Sequence, residues 1–284
     1  MSTNKINIKY MEFNAFKMDG LGNDFVIIDQ RVKTINLSKE NIVKICSRDF
    51  IGCDQLIYIN KNRDNKDKLI FYNSDGSISG ACGNGTRCVA KLLSKEYGKE
   101  EIILETSSGN LHSLILKENL VVTNIGIPSM EWYKIPLIKE MNTKNLNITI
   151  NDINGEKFNG GIAINVGNPH IIFFVENNEN YEIEKIGPAI ERHEYFPEKC
   201  NVTIATIKNE NLINVKVWER GAGLTNACAT AACATAFAGF ITKKVSNNVD
   251  IKFSTGILSI RIGDDNSVFM KGPVSSIEEI KIKL

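Results

Sequence analysis

The chain has 284 residues, which is room for two domains of ordinary size. A net charge of +1 and a charged fraction of 24% give no sign of a nucleic acid or an anionic membrane surface as a partner. No apolar run approaches the roughly 20 residues of a membrane-spanning helix, and the first residues lack the apolar core of a signal peptide, so we expect a cytoplasmic protein.

The cysteines and histidines do not form the patterns of a structural metal or disulfide site. The seven cysteines are an odd number and include no C-x-x-C pair, which argues against both a disulfide framework and a zinc cage. The three histidines lie far apart in the sequence. We therefore expect no metal ion.

In the first part of the chain, apolar and β-branched runs predict strands joined by polar turns. A loose leader is expected over residues 1–12. Ser38 has the side chain of a helix N-cap, and apolar residues at helical spacing follow it to about residue 50. Another helix follows Cys82 and is predicted to end at Gly98, a common C′ residue. Strands are predicted at 13–18, 25–29, 56–59, 69–72, 101–105, 111–116 and 120–127.

The pattern loosens over residues 128–147, where we expect the chain to cross to its second half. Helices are predicted at 182–193 and 229–242, and strands at 148–153, 162–166, 171–175, 201–207 and 212–218. We divide the chain into an N-terminal half (1–128) that carries Cys82, a C-terminal half (129–272) that carries Cys228, and a tail (273–284) expected to return to the first half.

The two halves share short motifs at a nearly constant offset, which indicates an internal duplication. The matched pairs are Asn23 with Asn168, Gln55 with Asn201, Asn73 with Glu219 and Cys82 with Cys228, at offsets of 145, 146, 146 and 146 residues. The repeat predicts an α/β (α+β) fold of two pseudo-symmetric domains. Each would be a curved, barrel-like sheet around one nearly apolar helix, with a cleft between the two domains.

Cys82 and Cys228 each follow a polar loop and precede the small-residue start of a helix. Free N–H groups and the positive end of the helix dipole lower the pKa of such a thiol, so we expect thiolate character at both. A lone cysteine is more often a small buried apolar residue, but two at equivalent positions of a repeat favour chemistry. Two thiols across one cleft suit a reaction that removes a proton from one face of a carbon atom and returns one on the other.

Six blocks of sequence together resemble the diaminopimelate epimerase family. They are MDGLGNDFVIID, YNSDGS, CGNGTRC, GNPH, FPEKCNV and ERGAGLTNAC, in this order and over nearly the whole chain. The resemblance implies cofactor-independent interconversion of LL- and meso-diaminopimelate, in lysine and peptidoglycan biosynthesis. It also implies two pseudo-symmetric α/β domains with a deep cleft between them, and a homodimer that acts on this small molecule.

The resemblance assigns roles to particular residues. Cys228 and Cys82 resemble the acid/base pair, in which Cys228 takes the α-proton of the LL isomer and Cys82 delivers one to the other face. His170 and Glu219 resemble catalytic residues beside the thiols, and Arg220 suits bidentate binding of a carboxylate. Substrate contacts are implied for Asn23, Gln55, Asn73, Gly83, Asn84, Asn168, Asn201, Glu219, Arg220, Ala229 and Thr230.

The sequence departs from the family pattern at a few positions. Asp19 stands where the family often has His or Asn, and Leu224 replaces a frequent Glu. After the second cysteine, residues 229–231 read Ala-Thr-Ala in place of the family's Gly-Ser-Gly. The backbone donors survive this change, and the added methyl groups are expected to tighten the pocket for an anion.

Other readings of the sequence stay open. A racemase or epimerase of proline or hydroxyproline also uses two cysteines, but the amide residues Asn73, Asn168 and Asn201 suit a second amino acid head that a cyclic substrate lacks. A catalytically silent amino-acid-binding protein on the same scaffold would not need both cysteines. A pyridoxal phosphate enzyme is disfavoured because no Lys stands out in the motifs.

Overall fold

The computed structural model describes residues 11–80, 82–107, 109–117 and 119–284. Residues 1–10 of the expected leader lie outside this range, and Glu12 already belongs to the first strand. Among the described helices, none is both long and apolar enough to cross a membrane.

The first half follows the predicted order of strands and helices. Its elements are β1 (Glu12–Gly20), β2 (Asn23–Asp29), α1 (Lys39–Cys46), β3 (Gln55–Lys61), β4 (Asp67–Asn73), β5 (Ile78–Ser79), α2 (Gly83–Tyr97), β6 (Glu101–Thr106), β7 (Gly109–Ile115) and β8 (Leu120–Gly126). Ser38 caps α1 as predicted, and its side chain accepts a hydrogen bond from the Asn41 N–H. Gly98 ends α2 with φ 63°. The helix α1 is shorter than predicted because Ser47 leaves the helical conformation, with ψ 132°.

The second half begins with a small separate hairpin, β9 (Ile148–Asn151) and β10 (Lys157–Gly160). Its other elements are β11 (Ile162–Asn165), β12 (Pro169–Phe174), α3 (Ile183–Glu191), β13 (Asn201–Asn209), β14 (Leu212–Glu219), β15 (Gly223–Thr225), α4 (Ala229–Ile241), β16 (Asn248–Phe253), β17 (Gly256–Ile262), β18 (Val268–Pro273) and β19 (Glu278–Lys283). A single 3-10 turn at Asn178–Asn180 precedes α3.

The two halves repeat the same strand connections, as an internal duplication requires. In the first half β1–β2 is antiparallel, β2–β3 parallel, β3–β4 antiparallel and β4–β6 parallel. The series β11–β12, β12–β13, β13–β14 and β14–β16 has the same directions. The registers also match, because Phe25 is paired with Gln55 and His170 with Asn201. The α/β fold with duplicated domains is therefore confirmed.

One 17-stranded sheet runs through both halves. The halves join where β8 pairs antiparallel with β18, and β19 in the tail pairs antiparallel with β1. The sheet curves around α2 in the first half and α4 in the second, so that each helix packs on strands of its own half. The two helices also contact each other. The boundaries of the halves at 128 and 272 stay a prediction, and β18 itself ends at Pro273.

Candidate active site

Cys82 and Cys228 occupy equivalent positions, each as the N-cap residue of its helix. Their backbones nearly coincide, with φ −138° and ψ 111° at Cys82 and φ −131° and ψ 114° at Cys228. Neither side chain caps its helix with a hydrogen bond. The first N–H groups of α2 and α4 are thus left for an anion, as at other helix starts.

The two helix starts touch at Gly83 and Ala229. A Cβ atom built on Gly83 would lie 2.9 Å from the Cβ of Ala229 and 2.9 Å from the Cε of Met270. No side chain fits at residue 83 unless these neighbours move. The contact brings the two sets of helix N–H groups, one from each half, to the same place, and both dipoles point their positive ends there.

Glu219, at the end of β14, faces both thiols. Its negative charge raises the pKa of both the Cys228 thiol and the Cys82 thiol. Burial raises the pKa of Glu219, and the negative charge of Asp54 from the first half raises it further. Glu219 therefore links the two halves of the site.

The expectation of a lowered thiol pKa is wrong for the free protein. Burial raises the pKa of Cys82 to about 12, although the N–H groups of Gly85 and Asn84 act in the opposite direction. Burial likewise raises the pKa of Cys228 well above the ordinary thiol range, with a further increase from Glu219. Desolvation therefore outweighs the helix start at both cysteines, and both thiols hold their protons at neutral pH.

A chain of polar side chains leads from α2 to the surface of the first half. Asn84 donates to the Asn23 Oδ1 (3.3 Å), and Asn23 donates to Asp54 (2.8 Å). The Cys82 thiol lies 3.7 Å from the same Asn23 Oδ1. Asp54 also accepts from Arg48 (2.6 Å). The structure thus places Asn23 and Asn84 beside Cys82.

Gln55 and Asn73 meet on neighbouring strands. The Gln55 Nε2 donates to the Asn73 Oδ1 (2.9 Å), and the Asn73 Nδ2 donates to Ser77 (3.0 Å). The buried Gln55 Oε1 has no hydrogen-bond partner among the described residues. An acceptor without a partner in this position suits a donor on a bound ligand.

His170, Asn168, Asn201 and Arg220 form the matching cluster of the second half. The His170 Nε2 lies 2.8 Å from the Asn168 Oδ1 and 3.4 Å from the Asn201 Nδ2. Asn201 in turn accepts from the Arg220 N–H (2.9 Å), and the Arg220 guanidinium donates to the Glu198 carbonyl (2.9 Å).

Burial, with a smaller effect of Arg220, lowers the pKa of His170 to about 3, so the imidazole is neutral. The hydrogen bonds that the structure gives His170 go to Asn168 and Asn201 rather than to a thiol. A catalytic role for His170 beside the thiols stays a prediction.

Two carboxylates that the sequence did not single out, and one hydroxyl that it did, support the site. Asp54 holds Asn23. Glu191 of α3 accepts from the Trp218 indole (2.7 Å) and the Gly221 N–H (3.2 Å), which fixes the turn after Glu219. The Thr230 hydroxyl lies 3.4 Å from the Cys228 sulfur. Asp54 stands next to Gln55 in the repeat, which was a usable signal, whereas nothing in the local sequence marked Glu191.

No group of three or more potential metal ligands occurs within the described ranges. The donors gathered at the site are amides, thiols and N–H groups, and the Glu219 carboxylate acts on both thiols. The arrangement suits an anionic or zwitterionic organic ligand held at the two helix starts, with one thiol from each half available for proton transfer.

Comparison with known proteins finds a matching family and similar relatives. The profile of the family described as diaminopimelate epimerase matches residues 15–131 and 162–277. A diaminopimelate epimerase of Pelagibacter ubique (strain HTCC1062) is 63% identical over 274 residues, covering 96% of this chain and 100% of the relative. One from Caulobacter vibrioides (strain NA1000 / CB15N) is 38% identical over 275 residues, covering 93% and 96%.

Solved structures share the fold at low sequence identity. A hydroxyproline epimerase from Agrobacterium vitis matches with a TM-score of 0.69 and 10% identity, covering 96% of this chain and 93% of that one. A phenazine biosynthesis protein of the PhzF family from Bacillus anthracis matches with a TM-score of 0.65 and 14% identity, covering 96% and 99%. From the profile and the relatives together, the chain belongs to the diaminopimelate epimerase family and is an isomerase.

Proposed function

We propose that this protein interconverts LL- and meso-diaminopimelate by a two-base proton transfer between Cys228 and Cys82, without a cofactor. The observation that carries the proposal is the meeting of two helix starts, each with a cysteine as its N-cap and each from a different half. The names of the relatives supply the substrate. In this role the reaction would serve lysine and peptidoglycan biosynthesis.

The acidity of the substrate is the main difficulty of the reaction. An amino acid α-proton is very weakly acidic, so the charge that develops when it leaves must be spread into the carboxylate and held by fixed donors. The N–H groups at Gly83 and Asn84 and at Ala229 and Thr230 are such donors. Because they are already oriented by the helices, they need no rearrangement during the reaction.

The proton transfer uses one thiol on each face of the α-carbon. In the LL to meso direction the Cys228 thiolate takes the α-proton, and the electron pair of the broken C–H bond passes into the carboxylate. The Cys82 thiol then gives its proton to the opposite face and keeps the S–H electron pair. In the reverse direction the two roles exchange, which accounts for inversion in both senses.

Glu219 would prepare Cys228 for this step. The thiol is protonated in the free protein, so a base must remove its proton before it can act. The Glu219 carboxylate acts on Cys228, and its raised pKa brings its basicity closer to that of the thiolate. Transfer of the thiol proton to Glu219 is thereby made less unfavourable than transfer to an ordinary carboxylate.

The remaining polar residues would hold the second amino acid head of the substrate. Asn23, Gln55, Asn73, Asn168 and Asn201 offer amide donors and acceptors, and Arg220 offers a guanidinium for a carboxylate. Their number suits a zwitterion better than a cyclic imino acid. A homodimer stays a prediction from the family resemblance, and a cytoplasmic location stays a prediction from the sequence.

The test of the substrate is direct. Purified, reduced protein is incubated with LL-diaminopimelate in the absence of added cofactor, and the stereoisomers are separated by chiral chromatography. We expect the meso isomer to form with wild-type protein and not with Cys82→Ala or Cys228→Ala. L-Proline and trans-4-hydroxy-L-proline are tested in parallel. Conversion of either of these, with LL-diaminopimelate unchanged, would overturn the proposal in favour of the racemase alternative.

A further inference from the structure

Arg87 is a cation in the core of the protein that no described carboxylate neutralises. Its side chain is fully buried, and it forms no ion pair with an acidic residue of the described chain. The Nη2 donates to the Asn84 Oδ1 (2.9 Å), the Nη1 to the Met270 sulfur (3.2 Å), and the buried Nε finds no acceptor in the described residues. Burying a charge without an ion partner is costly, so Arg87 is a candidate for a functional role.

The fold makes a place for this guanidinium with two glycines from different halves. A Cβ atom on Gly20 of β1 would lie 3.2 Å from the Arg87 Nη2. A Cβ atom on Gly272 of β18 would lie 3.0 Å from the Arg87 Cζ. Met270, the other contact of the guanidinium, reaches the point where Gly83 and Ala229 meet. Arg87 therefore lies at the junction of the two halves, behind the helix starts.

Arg87 also fixes the direction of the hydrogen-bond chain beside Cys82. A guanidinium only donates, so Asn84 must turn its oxygen to Arg87 and its Nδ2 to Asn23. At the other end, the Asp54 carboxylate accepts from the Asn23 Nδ2. The Asn23 oxygen is therefore held toward the Cys82 thiol, 3.7 Å away. With a donor-only group at one end and an acceptor at the other, neither amide can flip.

The charge of Arg87 acts on the thiols around it. It lowers the pKa of Cys82, of Cys88 on the same helix and of Cys233 on α4, although burial dominates at all three. The other charged group that acts on Cys82 is Glu219 of β14, which raises its pKa. Asp19 of β1 acts on Cys88. Arg87 is thus the cation that opposes Glu219 at Cys82.

From the burial of Arg87, the space that Gly20 and Gly272 leave for it and the hydrogen-bond chain, we propose that Arg87 is a positioning residue for Cys82. Its guanidinium orients Asn84 and Asn23, and its charge stabilises the anion left on the Cys82 sulfur when the S–H proton passes to the α-carbon. The second part rests on the proposed function, whereas the effect of Arg87 on the Cys82 thiol exists without any substrate.

The experiment measures the reactivity of Cys82 directly. Wild-type protein and Arg87→Met are treated with iodoacetamide between pH 7 and 9, and alkylation of the Cys82 peptide is followed by mass spectrometry. Because only the thiolate reacts, we expect the rate at pH 8 to fall about tenfold in Arg87→Met, the change produced when a pKa rises by about 1. Lys95→Met removes the same charge from an exposed position of α2, and its rate should equal that of wild-type protein.

Thermal unfolding separates this role from a structural one. Replacing a buried unpaired charge by an apolar side chain is often neutral or stabilising, so Arg87→Met should melt at the same temperature as wild-type protein or higher while its Cys82 reacts more slowly. A folded Arg87→Met whose Cys82 reacts at the wild-type rate would overturn the proposal.

Asn84→Asp gives a second measurement should Arg87→Met fail to fold. The new carboxylate pairs with Arg87 and cancels its charge, while the guanidinium stays in the same place. This variant should therefore also slow alkylation of Cys82 at pH 8. An unchanged or faster rate would count against the proposal. Neither measurement involves diaminopimelate, so a wrong substrate would leave the result standing, and a failed Arg87 test would leave the epimerase proposal standing.

Discussion

At the scale of single residues, Gly83 and Ala229 pack against each other where the two halves of the site meet. The methyl group of Ala229 takes the place that a side chain at residue 83 would need. A methyl group at residue 229 therefore leaves no room for a second methyl group at residue 83. The expectation that Ala-Thr-Ala would tighten the pocket for an anion stays a prediction.

The contact between Gly83 and Ala229 predicts a reciprocal pair of substitutions. Gly83→Ala should reduce kcat/KM at least tenfold, because the new methyl group would lie 2.9 Å from the Ala229 Cβ and force the helix starts apart. Ala229→Gly should have a small effect alone and should restore much of the activity in the double variant. Equal activity of the Gly83→Ala single and double variants would show that the contact is unimportant.

Thr230 predicts a difference between the two thiols. Its hydroxyl lies 3.4 Å from the Cys228 sulfur and lowers the pKa of that thiol. Thr230→Val has nearly the same shape but cannot donate, so it should reduce kcat/KM in the LL to meso direction about tenfold at pH 8 and move the rising limb of the pH profile to higher pH. Thr230→Ser keeps the hydroxyl and is the control. A pH profile of Thr230→Val identical to that of wild-type protein would contradict this role.

At the scale of elements, the helix α1 carries the cap that the sequence predicts. Ser38 accepts from the Asn41 N–H, and α1 leads to the loop that bears Arg48 and Asp54, directly before Gln55 at the start of β3. We expect Ser38→Ala to lower the free energy of unfolding by about 1 kcal/mol and Ser38→Gly by only a few tenths. Urea unfolding measures both, and an unchanged midpoint for Ser38→Ala would mean that the cap is dispensable.

The sequence predicted some long strands closely and missed others. The strands β2, β3, β13 and β14 combine β-branched runs with buried positions. The predicted ends of these strands lie within two residues of the observed ends. The strands β5 and β15 were not predicted, since they have two and three residues and exist through pairing with β4 and β14 rather than through their own sequence. The longer strands β16, β17, β18 and β19 were not predicted either.

At the scale of the whole molecule, the repeat in the sequence predicted which residues meet but not how the halves join. The offsets identified Cys82 and Cys228 as equivalent residues of the repeat. In the structure, the helices that begin after these two cysteines are in contact at their starts. The pairing of β8 with β18 is a long-range contact that no local pattern marks. Arg87 and Glu191 were missed for the same reason, because their partners lie on distant strands.

The buried thiols make the stability of the protein depend on pH. Burial raises the pKa of Cys82, Cys88, Cys200, Cys228 and Cys233 above the ordinary thiol value of about 8.5. Above that pH the unfolded chain loses thiol protons that the folded protein keeps. The stabilisation is therefore complete below about pH 8.5 and is lost as the pH rises toward the folded values.

We expect the free energy of unfolding to fall by about 1 kcal/mol for each of these thiols between pH 8.5 and 9.5. Urea unfolding at both pH values, in the presence of a reductant, measures the decrease. Cys233→Ala removes one thiol and should make the decrease smaller by about that amount. Stability that stays constant or increases over this interval would contradict the assigned thiol pKa values.

The central claim is that one thiol removes the proton and another delivers it. The most direct test is to start the reaction with LL-diaminopimelate in deuterated buffer and to follow deuterium in both isomers during the first few per cent of conversion, by proton NMR. We predict that the newly formed meso isomer carries deuterium at its inverted α-carbon while the remaining LL isomer keeps its protium. Deuterium entering the LL isomer faster than the meso isomer forms would show that a single base returns the proton to the face it left, and would contradict the account.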